Sequence, residues 1–157
     1  MTEHRQPGLP IGPVLVIGCG LIGTSVALGL SAQGVRVHLR DQNPANVALA
    51  ESLGAGVSGP VAEPSLVVVA TPPSVVVSGV QAALAEFKNA TVTDVASVKR
   101  SIVEKIDDPR FVGGHPMAGK ERSGPIAATA QRFEGRAWAV VPTENSASNR
   151  VLEVEQL

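Results

Sequence analysis

The segment Val14–Gly23 reads VLVIGCGLIG, four apolar residues followed by the pattern G-x-G-x-x-G. The apolar run predicts a buried strand, and the spacing after it predicts a helix from Leu21 to Gln33. In such a loop the first glycine permits the turn, the second lets a pyrophosphate approach the backbone, and the third allows helix and strand to pack closely. Free N–H groups at the helix start also attract an anion. We therefore predict a dinucleotide-binding loop formed by Gly18, Gly20, Leu21, Ile22 and Gly23.

Apolar runs alternate with helical patterns along the rest of the chain. We predict strands at residues 14–17, 35–39, 66–70, 91–95, 111–113 and 137–141. Further helices are predicted at 44–53, 75–87, 98–106 and 126–133, with Asn43 and Ser74 as N-caps of the first two. Strands joined by helical crossovers indicate an α/β fold: a Rossmann-type, doubly wound, mainly parallel sheet with helices on both faces.

Three regions follow from this pattern. Residues 1–12 have no signal-peptide core and are predicted to be a flexible leader, and residues 13–142 are predicted to be the dinucleotide-binding domain. Residues 143–157 begin with turn-forming residues and continue with a short helical pattern that Asn149 can cap. Because so short a helix is marginal alone, we expect a linker and the start of a truncated helix, either in a fragment or in a chain that lacks most of a second domain.

Composition and charge argue against several classes of protein. The 157 residues carry 13 basic and 14 acidic side chains without a basic stripe, which argues against a nucleic-acid partner. No apolar run approaches the roughly 20 residues that span a bilayer, so we expect no membrane association. Cys19 is the only cysteine, which excludes an internal disulfide and is compatible with a reducing cytoplasm. We expect Cys19 to be a small side chain in a tight loop rather than a reactive thiol.

An acidic residue follows the second predicted strand. Asp41 lies 23 residues beyond Gly18, close to the spacing of about 20 at which an acid binds the ribose hydroxyls of NAD. A carboxylate there repels the 2′-phosphate of NADP, so we predict NAD as the cofactor. Arg40 is able to hold that phosphate, although neighbouring side chains of a strand point to opposite faces. The alternative is that Asp41 is only a solvated strand end.

A Thr-Pro-Pro sequence follows the third predicted strand, at Thr71, Pro72 and Pro73. Ligands of open α/β sheets lie just outside the carboxyl ends of the strands, and proline fixes a loop without requiring an N–H partner. We therefore predict that Thr71 and Pro72 contact the cofactor. A purely structural turn explains these residues equally well.

Two polar segments lie at the same edge of the predicted sheet, TDVASVK at residues 93–99 and GGHPMAGKERSG at residues 113–124. His115 lies in a glycine-rich stretch predicted to be a loop near Ser97, and imidazole is well suited to accept a proton near neutral pH. The alternatives are a loop histidine bonded to the backbone and, for Ser97, an N-cap. Lys99 is expected to be a solvated residue of the first helical turn. We find no cluster of metal ligands in the sequence and predict no metal.

These three motifs, in this order, resemble the prephenate dehydrogenase family. The resemblance rests on the glycine loop with its Leu-Ile-Gly-Thr-Ser continuation, on Asp-Val-Ala-Ser-Val-Lys and on Gly-Gly-His-Pro-Met-Ala-Gly-x-Glu-x-Ser-Gly, within residues 14–141. It implies that His115 is the catalytic histidine, which takes the hydrogen bond of the substrate's ring hydroxyl. It also implies that Ser97 orients hydroxyl, histidine and nicotinamide. Glu121 matches an acid that shapes the entrance of the site, and Ala96 stands where many members carry glycine.

The resemblance implies NAD-dependent oxidative decarboxylation of prephenate to 4-hydroxyphenylpyruvate, a step of tyrosine biosynthesis in the cytoplasm. Family members hold the substrate carboxylates mainly with arginine from a helical C-terminal domain that also forms the dimer. The resemblance implies that residues 143–157 are a linker and the start of a truncated helix of this C-terminal helical domain, which the chain lacks. We therefore expect a homodimer only where that domain is present. The alternatives are arogenate as substrate, a different hydroxy or imino acid, and a dinucleotide-binding module without activity.

Overall fold

The computed structural model describes residues 12–116, 128–130, 138–155 and 157. Its strands are β1 Val14–Ile17, β2 Val37–Arg40, β3 Val57–Ser58, β4 Leu66–Val69, β5 Thr91–Asp94, β6 Phe111–Pro116 and β7 Trp138–Pro142. Its helices are α1 Leu21–Ala32, α2 Pro44–Ser52, α3 Val76–Glu86, α4 Arg100–Val103 and α5 Ser148–Glu155. Most of the predicted leader and of the predicted helix at 126–133 lies outside the described residues. Within them, no helix is both long and apolar enough to cross a membrane.

The seven strands of the described residues form one sheet in the order β3-β2-β1-β4-β5-β6-β7. Neighbouring strands are parallel, except that β6 and β7 are antiparallel. The order reverses at β1, where Val14 pairs with Val37 of β2 on one side and with Leu66 of β4 on the other. This reversal is the switch point of a doubly wound sheet, so the predicted fold class is confirmed.

Helices cover both faces of the sheet, because alternate strand residues point to opposite sides. One face packs against α3 and α4 and includes Leu15, Val67 and Val69. The other packs against α1, α2 and α5 and includes Val16 and Val68. Both layers consist mostly of Val, Leu, Ile and Ala, as expected for a chain with 3% aromatic residues.

The predicted helix starts are only partly correct. The Asn43 side chain caps α2 as predicted, since its Oδ1 accepts the Ala45 N–H at 3.0 Å. The N-cap of α3 is Val75, without a side-chain cap bond, so the prediction for Ser74 is wrong. The prediction for Asn149 is also wrong, because α5 begins one residue earlier.

The segment after β5 differs most from the predicted helix at 98–106. Only α4 is helical there, and its N-cap is Lys99, so Ser97 caps nothing. Ile102 and Ile106 are buried as their spacing predicts, whereas Val98 is 56% exposed. The short edge strand β3 has no counterpart in the prediction, because both of its residues are exposed and form no pattern.

The strand that carries His115 is longer than predicted. β6 continues past Gly113 to Pro116, because β7 pairs with it from the other side and places His115 opposite Ala139. The prediction of a loop at His115 is therefore wrong. A glycine-rich strand shows no local signal, since its pairing depends on a partner distant in sequence.

Helix α5 packs on the sheet of this domain. Val154 is 1% exposed and lies in the same cluster as the buried residues of α1 and α2. The Arg150 guanidinium donates to the Asn89 carbonyl at 3.1 Å and to the Thr91 hydroxyl at 2.9 Å. These contacts connect the tail to β5, while the predicted domain boundary at residue 142 stays a prediction.

Candidate functional site

The glycine loop connects β1 to α1 at the carboxyl edge of the sheet. Gly18 has a φ of 102°, in the region that favours glycine, and a Cβ there would lie 2.5 Å from the Ala70 carbonyl oxygen. A Cβ at Gly23 would overlap the carbonyl oxygen of Gly18. The start of α1 therefore packs against the preceding turn at a distance that leaves no room for a side chain.

Gly20 is different, because nothing lies within 4 Å of the position of a Cβ there. It is the N-cap of α1 and, as a glycine, has no side chain with which to cap the helix. The N–H groups of Leu21 and Ile22 belong to the first helical turn, which has no acceptor within the helix for them. The open backbone and these donors provide what a pyrophosphate requires.

The Asp41 carboxylate lies beside this loop. Its Oδ2 accepts the Cys19 N–H at 2.7 Å and its Oδ1 accepts the Asn43 N–H at 2.8 Å. These two bonds fix the carboxylate between the glycine loop and the start of α2. Each oxygen keeps a further lone pair with which to accept a hydroxyl.

The Arg40 side chain is engaged elsewhere. Its guanidinium forms a bidentate ion pair with Glu86, at 2.8 and 3.1 Å, and lies 5.7 Å from the centre of the Phe87 ring. The bond to Arg40 lowers the pKa of the Glu86 carboxyl, so the pair is charged at neutral pH. Binding of a 2′-phosphate by Arg40 would require it to leave Glu86.

The Cys19 thiol is fully buried. Its burial, followed by the nearby Asp41 charge, raises the pKa of this thiol to about 12, although a bond to the Arg40 carbonyl opposes the change.

Since the thiolate is the reactive form, we expect iodoacetamide at pH 8 to alkylate the folded protein about a thousandfold more slowly than the urea-unfolded protein. Mass spectrometry of quenched samples measures both rates, and equal rates would contradict the burial of the thiol.

The loop after β4 packs against the glycine loop, since a Cβ at Gly18 would lie 3.0 Å from the Thr71 nitrogen. Among the described residues, Thr71 Oγ1 is buried without a hydrogen-bond partner. Buried hydroxyls are normally bonded, so this group is an exception among the described residues. Pro72 is exposed, and its carbonyl accepts the Val75 N–H at 3.0 Å in a turn.

A buried ion pair lies at the carboxyl end of β5. The side chain of Asp94 is 0% exposed and that of Lys99 12%, and the Lys99 ammonium contacts Asp94 Oδ2. The prediction of a solvated Lys99 is therefore wrong. Burial lowers the pKa of the Lys99 ammonium, while its attraction to Asp94 and the bond between them oppose this change.

Asp94 was not among the residues predicted to form the site. The signal that could have identified it is the one used for Asp41, an acid at the carboxyl end of a buried strand. The role of Lys99 has no such signal, because a lysine five residues later belongs equally well to an exposed helical turn.

The structure brings together the segments of His115 and Ser97 but forms no bond between the two side chains. Asp94 Oδ1 accepts the Gly114 N–H at 3.3 Å, which connects the end of β5 to the residue before His115. His115 is half-buried, and Ser97 is exposed in the loop after β5. Glu121 lies outside the described residues.

Gly113 and Gly114, the two residues before His115, lie where neighbouring atoms leave no room for a side chain. A Cβ at Gly113 would lie 2.8 Å from the Val141 carbonyl oxygen and 3.0 Å from Cδ of Lys99. A Cβ at Gly114 would lie 2.8 Å from the Asp94 carbonyl oxygen. Side chains at either position would push β6 away from the ion pair.

Fold and glycine loop together define a Rossmann-type dinucleotide-binding domain. The feature that distinguishes this domain is a half-buried histidine, His115, on β6, which lies two strands beyond β4 in the sheet. The described part of the chain contains no group of three or more His, Cys, Asp and Glu side chains that could hold a metal.

Comparison with known proteins identifies the family. The sequence profile of the prephenate dehydrogenase nucleotide-binding domain matches residues 26–157, so the chain belongs to this family. It is 40% identical over 149 residues to a probable prephenate dehydrogenase of Streptomyces niveus, covering 89% of this chain and 41% of that protein.

Solved structures of the same family superpose closely. Prephenate dehydrogenase from A. aeolicus, in complex with hydroxyphenyl propionate and NAD⁺, has a TM-score of 0.86 at 29% identity, over 94% of this chain and 56% of that one. Synechocystis arogenate dehydrogenase has a TM-score of 0.84 at 25% identity, over 91% and 54% of the two chains. The chain thus spans about two-fifths of its Streptomyces relative and about half of these structures.

Proposed function

We propose that this chain is the cofactor domain of an NAD-dependent prephenate dehydrogenase of tyrosine biosynthesis, which converts prephenate to 4-hydroxyphenylpyruvate. The observation that carries the proposal is the position of His115. It lies at the carboxyl edge of the same sheet that carries the glycine loop, in a chain of this family. Ligands of open α/β sheets bind at that edge.

The described residues fit NAD. The open backbone at Gly20 and the first N–H groups of α1 suit the pyrophosphate, and Asp41 has lone pairs free for the ribose hydroxyls. Thr71, whose backbone nitrogen lies beside Gly18, offers a further contact, and Pro72 shapes the turn that follows it. When bound, NAD⁺ supplies the acceptor for the hydride.

In the proposed mechanism, His115 accepts the proton of the ring hydroxyl while the carbon that bears this hydroxyl loses hydride. The resulting ketone then loses the ring carboxylate as carbon dioxide. The electron pair of the broken carbon–carbon bond makes the ring aromatic and places a negative charge on the former hydroxyl oxygen, to which His115 returns the proton. Ser97 orients the hydroxyl. The protein thus contributes positioning and one proton acceptor.

Asp41 is expected to select NAD over NADP. Asp41→Asn removes the charge that repels a 2′-phosphate and weakens the bonds to the ribose hydroxyls. The preference for NAD⁺ should therefore fall by about 1–3 kcal/mol. Calorimetric titration with NAD⁺ and with NADP⁺ measures it, with exposed Asp107→Asn as control. Tighter binding of NADP⁺ to the unaltered protein would contradict the assignment of Asp41.

Turnover assays test the function itself. The full-length enzyme should reduce NAD⁺ with prephenate, releasing carbon dioxide and 4-hydroxyphenylpyruvate. Faster turnover of arogenate would make that the substrate, an alternative supported by the similarity to the arogenate dehydrogenase structure. NAD⁺ binding without turnover of either compound would indicate a binding module. The proposal also includes a homodimer and a cytoplasmic location. Gel filtration of the full-length protein tests the first, and fractionation of cells tests the second.

A further inference from the structure

The Asp94 carboxylate lies between the two segments that carry the candidate catalytic residues. It is fully buried. Its Oδ1 accepts the N–H of Gly114, the residue before His115, at 3.3 Å. Its Oδ2 accepts the N–H of Ala96, the residue before Ser97, at 3.1 Å. One side chain therefore holds the backbone of both segments.

The bond to Gly114 lies where the backbone ladder ends. The described pairing of β5 with β6 consists of Val92 with Phe111 and Thr93 with Val112. Beyond this point β6 is paired with β7 as far as Pro116. On the β5 side, the Asp94 carboxylate takes the place of the next backbone rung, immediately before His115.

Lys99 stabilises this carboxylate in its buried position. A buried carboxylate without a counter-charge is strongly disfavoured, and Lys99 supplies the counter-charge directly. The lysine stem also packs on β6, since a Cβ at Gly113 would lie 3.0 Å from its Cδ. The pair thus contacts β6 at the two residues that precede His115.

We infer that Asp94 and Lys99 are positioning residues, whose ion pair fixes the strand of His115 and the loop of Ser97 relative to each other. They act through these two residues rather than on the reacting atoms. The catalytic part of this inference rests on the proposed function, whereas the structural part does not.

The test compares Lys99→Met, Lys99→Arg and a control, Lys105→Met, in the full-length enzyme. Lys105 is exposed and lies in the segment after α4. Lys99→Met should raise hydrogen exchange at the Gly114 amide and lower kcat, each by about tenfold or more. The Kd for NAD⁺ should change by less than about threefold, because β4 separates β5 from β1, the strand that leads into the glycine loop. Lys99→Arg should restore most of both properties, and Lys105→Met should change neither.

A folded Lys99→Met enzyme with unchanged Gly114 exchange and unchanged kcat would overturn the inference. Should Lys99→Met not fold, the double variant Asp94→Asn/Lys99→Met removes both charges. An amide has one oxygen and so accepts only one of the two N–H groups, and kcat should stay about tenfold low. Full activity of the double variant would show that the pair only balances charge. If the unaltered enzyme turned over neither substrate, the proposed function would fail, while the Gly114 exchange would still test the positioning.

Discussion

Substitution of His115 by asparagine is expected to lower kcat for prephenate by about 10²–10⁴-fold, the usual contribution of a general acid–base group. Asparagine keeps a polar side chain on β6 but does not accept the proton of the ring hydroxyl. The Kd for NAD⁺ should change by less than about threefold, because the proposed dinucleotide site consists of the loop from Gly18 to Gly23 and Asp41. Steady-state kinetics and calorimetric titration of the same variant measure both quantities.

Ser97→Ala is the companion variant. Ser97 is exposed and caps no helix, so this substitution should leave Tm unchanged and lower kcat less than the histidine change does. If His115→Asn instead kept nearly full turnover and lowered Tm, His115 would be an architectural residue of β6. The proposed mechanism would then be wrong.

Gly23→Ala is expected to have the largest effect on stability. Its methyl group would overlap the Gly18 carbonyl oxygen, a backbone atom that does not rotate away. Overpacking of this kind costs about 3 kcal/mol, more than the roughly 1 kcal/mol that alanine gains over glycine in a helix. We therefore expect Tm to fall by about 4–8 °C and binding of NAD⁺ to be lost, because α1 must move away from the loop.

Gly29→Ala provides a control within the same helix. A Cβ at Gly29 would lie 3.5 Å from the Ala130 carbonyl oxygen, an ordinary contact. Gly29→Ala should therefore change only the helix propensity, and the free energy of unfolding should rise by up to about 1 kcal/mol. Urea unfolding of both variants measures the difference. Equal changes at the two positions would contradict the steric role of Gly23.

The fold was predictable because its signals are local. The apolar strands β1 and β4 are buried on both faces, and such strands appear in the sequence as continuous runs. The glycine loop was recognisable for the same reason, since its three glycines lie within six residues and Gly23 is required by its contact with Gly18. Asn43 and Pro44 similarly mark the start of α2.

The surroundings of His115 were less predictable, because they depend on pairing between distant segments. The strand character of His115 comes from Ala139, far along the chain. Burial of Lys99 requires the carboxylate of Asp94 and the absence of a side chain at Gly113. The residue types at the candidate site were therefore identified from the sequence, but the buried charge pair beside them was not.

Trp138 gives the chain an internal optical reporter. It is the only tryptophan, there is no tyrosine, and it begins β7 opposite Pro116, next to His115. Its Nε1 lies 3.0 Å from the position of a Cβ at Gly114. The near-ultraviolet emission of this chain thus comes from a single indole beside the candidate catalytic strand. Fluorescence can follow events at β6 without any attached dye.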